Sequence, residues 1–139
     1  MKGYYLDTSA ATKLVVEEAE SQALRAWIKD QGPAFVASEL LRVELLRACR
    51  RHSPDAMTRA REVIDSAILM SVTTDICIDA AGIDPGVMCS LDAVHIATAL
   101  ATGDDLTGVV TYDERMADGC RIYGLPVVAP ACSAGLFGD

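Results

Sequence analysis

An α/β sandwich built around a parallel sheet is the fold that this sequence of 139 residues predicts. Three observations carry that expectation. Short apolar runs alternate along the chain with longer stretches of helical period. Hydrophobic residues make up 51%, mostly Ala, Val, Leu and Ile, which suits helices layered on both faces of a sheet. Two of the apolar runs lead into an aspartate, and the carboxyl ends of parallel strands are where such sheets bind ligands.

Residues 3–6, Gly-Tyr-Tyr-Leu, form a first strand that runs into Asp7-Thr8-Ser9, and Ser9 is the expected N-cap of a helix over 10–18. A second amphipathic helix over 20–31 is stopped by Gly32-Pro33, after which 34–37 form the second strand. Ser38 caps a helix reaching about Arg51, His52-Ser53-Pro54 breaks it, and residues 55–67 are helical again. A third strand over 68–73 precedes a helix over 74–83, and Asp84-Pro85-Gly86 makes a loop. The next helix covers 90–100. After Gly103-Asp104-Asp105 a fourth strand over 108–112 ends at Asp113, a helix follows to Tyr123, and 126–129 is a short last strand. No repeat, low-complexity segment or linker interrupts this pattern, so one domain over 1–132 is expected, with 133–139 a loose tail.

The helix over 90–100 poses the chemical question. Ser90 is its expected N-cap, and Leu91, Ala93, Val94, Ile96, Ala97, Ala99 and Leu100 leave almost no polar face, so it should be largely buried. Asp92 sits in its first turn. Desolvating a lone carboxylate costs several kcal/mol, so Asp92 needs a hydrogen-bond partner, an ion pair or a metal.

Composition narrows the chemistry. Aromatics are 5%, too few for stacking platforms on single-stranded nucleic acid to be the obvious mode of action. The formal net charge of −8 argues against broad phosphate-backbone binding, so a polyanionic substrate requires metal ions or a local basic patch. Cys49, Cys77, Cys89, Cys120 and Cys132 are odd in number and form no C-x-x-C pair, which predicts buried reduced thiols rather than zinc or disulfides. Tyr4-Tyr5-Leu6 runs into Asp7 without a long apolar leader, and no apolar run reaches the ~18 residues of a membrane span. A cytoplasmic protein is expected.

Asp7 and Asp113 lie at strand ends, where a bare capping role competes with a functional one. Ser9 is available to cap after Asp7, which frees that carboxylate. Glu44 lies mid-helix among apolar residues in Leu40-Leu-Arg-Val-Glu-Leu-Leu46, and its plain alternative is an ion pair with Arg47 at i+3. Glu39, in a first helical turn, is explained by the helix dipole alone. Asp75 belongs to the capping cluster Thr73-Thr74-Asp75 and is set aside. His95, one turn after Asp92, is assigned to core packing or to a hydrogen bond behind a ligand, because all-oxygen sites rarely need a histidine. Asp7, Glu44, Asp92 and Asp113 remain as the candidate catalytic and metal-binding set. Four such acids repel one another unless a cation lies between them, and oxygen ligands favour Mg²⁺ or Mn²⁺. That chemistry suits phosphodiester hydrolysis, in which the cation lowers the pKa of a bound water. Thr8, Ser9 and Thr111 are placed to orient the ligands. No Gly-rich phosphate loop and no G-x-S-x-G is present.

Taken together these residues resemble the PIN-domain family, in particular VapC-type ribonuclease toxins of type II toxin–antitoxin pairs, over nearly the whole chain. Tyr5-Leu-Asp-Thr-Ser-Ala10 resembles the family's opening strand and first acid. Ser38-Glu-Leu-Leu-Arg-Val-Glu-Leu-Leu-Arg47 resembles the second motif, with Glu44 at the acidic position. Leu91-Asp-Ala-Val-His-Ile-Ala-Thr-Ala99 resembles the third and most specific, and Val110-Thr-Tyr-Asp-Glu-Arg-Met-Ala117 followed by Gly124-Leu-Pro-Val127 the fourth. The resemblance implies a five-stranded parallel sheet in the order 3-2-1-4-5, which brings the strands bearing Asp7 and Asp113 side by side and leaves the one before Asp75 at an edge. It further implies Mg²⁺- or Mn²⁺-dependent cleavage of RNA such as tRNA, rRNA or mRNA, with inhibition of translation. Homodimers, and a cognate VapB-like antitoxin whose C-terminal segment enters the acidic groove, are implied as well. Arg42, Arg47, Arg50 and Arg51 offer a basic patch beside Glu44 for RNA phosphates or antitoxin carboxylates. The rivals are a PIN fold that binds RNA or a partner without cutting, and an aspartyl-phosphate enzyme. The latter usually has a second Asp two residues after the first, where this chain has Ser9.

Overall fold

The computed structural model describes residues 3–84, 86 and 88–131, so the expected tail over 133–139, Cys132 and Pro85 lie outside the described residues. Strand and helix alternate: β1 (Gly3–Leu6), α1 (Thr8–Val15), α2 (Ser21–Gln31), β2 (Ala34–Ser38), α3 (Leu40–Cys49), α4 (Pro54–Asp65) and β3 (Ala67–Met70). Then come α5 (Thr74–Ala81), α6 (Ser90–Thr102), a 3-10 turn at Gly103–Asp105, β4 (Leu106–Val110), α7 (Glu114–Ile122) and β5 (Val127–Val128). The sheet has five parallel strands in the order β3-β2-β1-β4-β5, as the family resemblance implies. The chain runs outward from β1 through β2 to β3 and then returns to the other side of β1. A crevice therefore opens at the carboxyl ends of β1 and β4.

Alternation along the strands divides the core in two. Tyr4, Leu6 and Val110 face one side and pack with Ala10, Ala11, Leu24, Leu41 and Leu45, under α1 to α4. Tyr5 and Val109 face the other and pack with Ile76, Ala93, Ile96, Met116 and Cys120, under α5 to α7.

Several boundaries differ from those read off the sequence. The third strand stops at Met70 and does not reach residue 73, because its partner β2 ends at Ser38, opposite Met70. The fourth strand is shifted toward the N-terminus, from 108–112 to Leu106–Val110, because β1 runs only from Gly3 to Leu6 and sets the register. Thr111 and Asp113 consequently lie beyond β4. The first helix ends at Val15, well before residue 18. Its N-cap is Asp7, not Ser9, and the N-cap of α6 is Cys89, with Ser90 already inside the helix. α6 runs on to Thr102, where Gly103, at φ 74, ends it in a conformation that side chains disfavour. α6 is also less completely covered than its composition suggests: Leu91 is 51% and Leu100 41% exposed. The four described cysteines are free thiols, with Cys49 and Cys120 buried but Cys77 and Cys89 exposed. No helix among the described residues is long and apolar enough to cross a membrane.

Candidate active site

β1 delivers Asp7 directly to the crevice. The Asp7 backbone N–H donates to the carbonyl of Val110 at 3.1 Å, which continues the β1–β4 pairing one step past the strand. Asp7 is buried, 5% exposed, and its Oδ2 accepts from the hydroxyls of Ser9 at 2.7 Å and Thr111 at 2.8 Å, and more weakly from the Ser9 N–H at 3.4 Å. The two hydroxyls in turn accept backbone N–H groups: Tyr112 donates to Ser9 Oγ at 2.9 Å and Asp113 to Thr111 Oγ1 at 3.1 Å. Each hydroxyl has one proton, and both give it to Asp7, so their mutual 3.2 Å approach carries no proton of its own. Two directed chains thus run from the backbone after β4, through a hydroxyl, to one carboxylate oxygen, each link polarising the next.

Glu44 enters from α3 and is partly buried. Its Oε1 accepts from the Thr8 hydroxyl at 2.7 Å and meets His95 Nε2 at 2.7 Å. The i+3 pair with Arg47, the alternative weighed against a site role, is not formed. Glu39, at the N-cap of α3, makes that kind of pair instead, with Arg42 Nε at 3.0 Å on the surface, in addition to its favourable place at the helix N-terminus. His95, 2% exposed, spans from Glu44 to Tyr5: its Nδ1 lies 2.6 Å from the Tyr5 hydroxyl, which accepts the Ser38 N–H at 3.2 Å. Burial works to lower the His95 pKa, but the hydrogen bond to Glu44 and the charges of Asp7, Glu44 and Asp92 outweigh it and leave it raised. Burial opposes ionisation of Glu44 as well, yet the bonds from His95 and Thr8 hold its carboxyl below the usual range. The Tyr5 phenol is pushed well above its ordinary range by burial and by the charge of Asp7, so it keeps its proton.

Asp92 projects from the first turn of α6, half-buried, and its Oδ2 accepts from the Cys89 thiol at 3.3 Å. Its pKa is raised, by burial first and then by the charges of Asp113 and Asp7, against the opposing pull of the thiol bond. Asp113 caps α7: its Oδ1 accepts from the N–H groups of Arg115 at 2.9 Å and Met116 at 3.3 Å. The capping role weighed against function for Asp113 is therefore real, and it occupies only one oxygen.

All four acids share that economy. Asp7, Glu44, Asp92 and Asp113 each place every described hydrogen bond on a single carboxylate oxygen and keep the other clear of donors. None of the clear oxygens is sealed from solvent without a partner. Among the described residues no three acidic, histidine or cysteine side chains converge tightly enough to grip one ion unaided. The set is open, with oxygen donors of a kind that hard divalent cations take, and such cations commonly keep several waters beside one or two carboxylates.

Sequence reasoning identified Thr8, Ser9 and Thr111 as helpers, and each bonds one of the acids. It passed over Tyr5, Ser38 and Cys89, whose roles depend on contacts with residues that the fold alone brings near. Of the four arginines, Arg42 is committed to Glu39, while Arg47, Arg50 and Arg51 are exposed and line a surface cavity of about 470 Å³ at the end of α3.

A family model described as PIN domain matches residues 4–122. Two relatives from Mycobacterium tuberculosis, Ribonuclease VapC47 and Ribonuclease VapC46, are 39% and 38% identical over 130 and 131 residues, which cover 91% and 94% of this chain and 96% and 100% of theirs. Among solved structures, VapC20 of M. tuberculosis, described as a sarcin–ricin loop cleaving toxin, aligns with a TM-score of 0.72 at 18% identity, over 91% of this chain and 99% of its own. A toxin–antitoxin complex from Klebsiella pneumoniae aligns with a TM-score of 0.70, also at 18% identity, over 91% and 97%. At that identity the two structures speak for the fold alone.

Proposed function

The chain belongs to the PIN-domain family, on its VapC branch, and from that premise we propose that it is a divalent-metal-dependent endoribonuclease, the toxin of a VapBC-type pair. The observation that carries this reading is the set of four carboxylates at one end of the sheet, each fixed through one oxygen and open through the other. Asp7, Glu44, Asp92 and Asp113 would together hold Mg²⁺ or Mn²⁺, and the charges of Asp113 and Asp7 already act on Asp92. When bound, the cation supplies neutralisation of phosphate charge and polarisation of water, the two needs of phosphodiester hydrolysis. Burial and then the like charges of Asp113 and Asp7 disfavour the ionised form of Asp92, and positive charge held here would offset both.

The protein's own residues do the rest. Ser9 and Thr111 aim Asp7 through directed hydrogen bonds. Thr8 and His95 aim Glu44. Arg47, Arg50 and Arg51 supply positive charge for RNA phosphates, or for antitoxin carboxylates, in a chain whose net charge of −8 otherwise repels them. The names of the relatives support RNA as the substrate, and a VapB-like antitoxin is the partner that membership of the VapC branch implies. A homodimer working in the cytoplasm completes the proposal.

Incubating end-labelled RNA with the purified protein tests it. Cleavage is expected with Mg²⁺ or Mn²⁺, none in EDTA, and none from Asp7→Asn or Asp92→Asn, both of which should still fold. Full cleavage in EDTA, or by Asp92→Asn, overturns the reading.

A further inference from the structure

Glu44 differs from the other three acids in its origin. Asp7 and Asp113 follow neighbouring strands, and Asp92 begins the helix packed beside them, whereas Glu44 comes from α3, outside β2. It reaches the crevice through a buried chain of contacts that crosses the sheet end: Ser38 N–H to Tyr5 oxygen at 3.2 Å, Tyr5 oxygen to His95 Nδ1 at 2.6 Å, and His95 Nε2 to Glu44 Oε1 at 2.7 Å. The members come from β2, β1, α6 and α3, so the chain ties two acid-bearing helices to two central strands. Tyr5 is 1% and His95 2% exposed, too deep to touch a substrate. Buried polar groups in such apolar surroundings are costly unless fully satisfied, and here each link satisfies the next.

The link to Glu44 does not depend on the charge of the imidazole. Nε2 carries a proton both in the neutral form that accepts from Tyr5 at Nδ1 and in the charged form, so it donates to Glu44 Oε1 in either. With Oε1 held by His95 and by Thr8, the remaining Glu44 oxygen, Oε2, is the one free for other partners.

We infer that His95 and Tyr5 are positioning residues that hold Glu44 in place for divalent-cation binding at the crevice. The inference rests on the metal-dependent reading above. Groups hydrogen-bonded behind a metal ligand set its orientation, and their removal commonly costs ten- to a hundredfold in metal affinity. His95 therefore acts through Glu44 and Tyr5 through His95.

The test is calorimetric titration of purified protein with Mn²⁺, alongside thermal melting and steady-state RNA cleavage. His95→Leu is expected to weaken Mn²⁺ binding by about tenfold or more. His95→Gln, which can return an N–H to Glu44, should recover most of that loss. Tyr5→Phe, which removes a single oxygen, should shift Mn²⁺ affinity the same way by a smaller factor and stands in for His95→Leu if the latter does not fold. In the cleavage assay kcat should fall while KM for RNA stays near the parent value. Asp92→Asn separates the two levels. If it loses Mn²⁺ binding while folded His95→Leu and Tyr5→Phe keep the parent affinity, the positioning role is overturned and the metal site stands. If Asp92→Asn also binds as the parent does, the metal reading falls and the positioning role with it. Equal losses in His95→Leu and His95→Gln would also overturn it.

Discussion

Replacing Thr111 with valine removes one oxygen and leaves the side-chain volume almost unchanged. That oxygen is 1% exposed at the residue level, donates to Asp7 Oδ2 at 2.8 Å and accepts the Asp113 N–H at 3.1 Å. A hydrogen bond to a charged group contributes about 1.5–3 kcal/mol, and an orphaned buried N–H costs about 1–3 kcal/mol. Asp7 keeps the Ser9 hydroxyl, so the lower part of each range applies, and Thr111→Val should destabilise by about 2–4 kcal/mol. For a chain of this length each kcal/mol lowers Tm by about 4 °C, so a fall of about 8–16 °C is expected. Thr111→Ser keeps the oxygen and loses a methyl group, worth about 1 kcal/mol. Thermal melts of both variants at pH 7 in EDTA decide the matter, because packing loss and hydrogen-bond loss rank them oppositely. If the serine variant melts as low as the valine variant, the directed chain onto Asp7 is not what holds this end of the sheet. On the proposed function, Thr111→Val should also cut RNA cleavage by about tenfold or more, since it loosens a cation ligand.

Asp92→Asn is expected to melt at or above the parent temperature at pH 7 in EDTA, because burial and the charges of Asp113 and Asp7 disfavour its ionised form; a clear fall in Tm would count against that electrostatic picture. Stability should also carry a pH signature from His95. Its folded-state pKa is raised above the ordinary 6.5, so its stabilising contribution is complete below 6.5 and is lost as pH rises through the folded value. Tm measured from pH 5.5 to 9 in EDTA should therefore fall less steeply on the alkaline side for His95→Gln than for the parent, and parallel curves would refute the assignment. Replacing Arg47, Arg50 and Arg51 together with alanine should weaken RNA binding and reduce the slope of log affinity against log salt by about 2, the value for three single-strand phosphate contacts, as read by filter binding over a salt series. An unchanged slope would remove these residues from the RNA path.

The strand-and-helix succession was legible because its signals are local. Apolar runs stop at Asp7, Gly32-Pro33 and Gly103, and those stops hold or nearly hold in the structure. The candidate acids were legible for a related reason: a carboxylate at a strand end, or amid the apolar residues of α3 and α6, is conspicuous beside its neighbours in the chain. Helix caps were less so. Ser9 and Ser90 had the right composition for caps, yet each lies inside its helix, one or more positions past the cap. Ser9 spends its hydroxyl on Asp7 and on the Tyr112 N–H, which leaves Asp7 at the N-cap.

Partnerships followed the same division. Arg47, three residues away, was the only partner for Glu44 visible along the chain, yet Glu44 bonds His95, 51 positions on, and Thr8, 36 positions back. By itself the sequence determined which residue types are present, where strands and helices alternate, and that four acids stand apart from their surroundings. The tertiary structure alone decided which oxygen of each acid is spent and which stays open. Hydrogen bonds of 2.6–2.8 Å form only after the fold has brought β1, α1, α3, α6 and the segment after β4 together at one end of the sheet, and they join residues up to 104 positions apart.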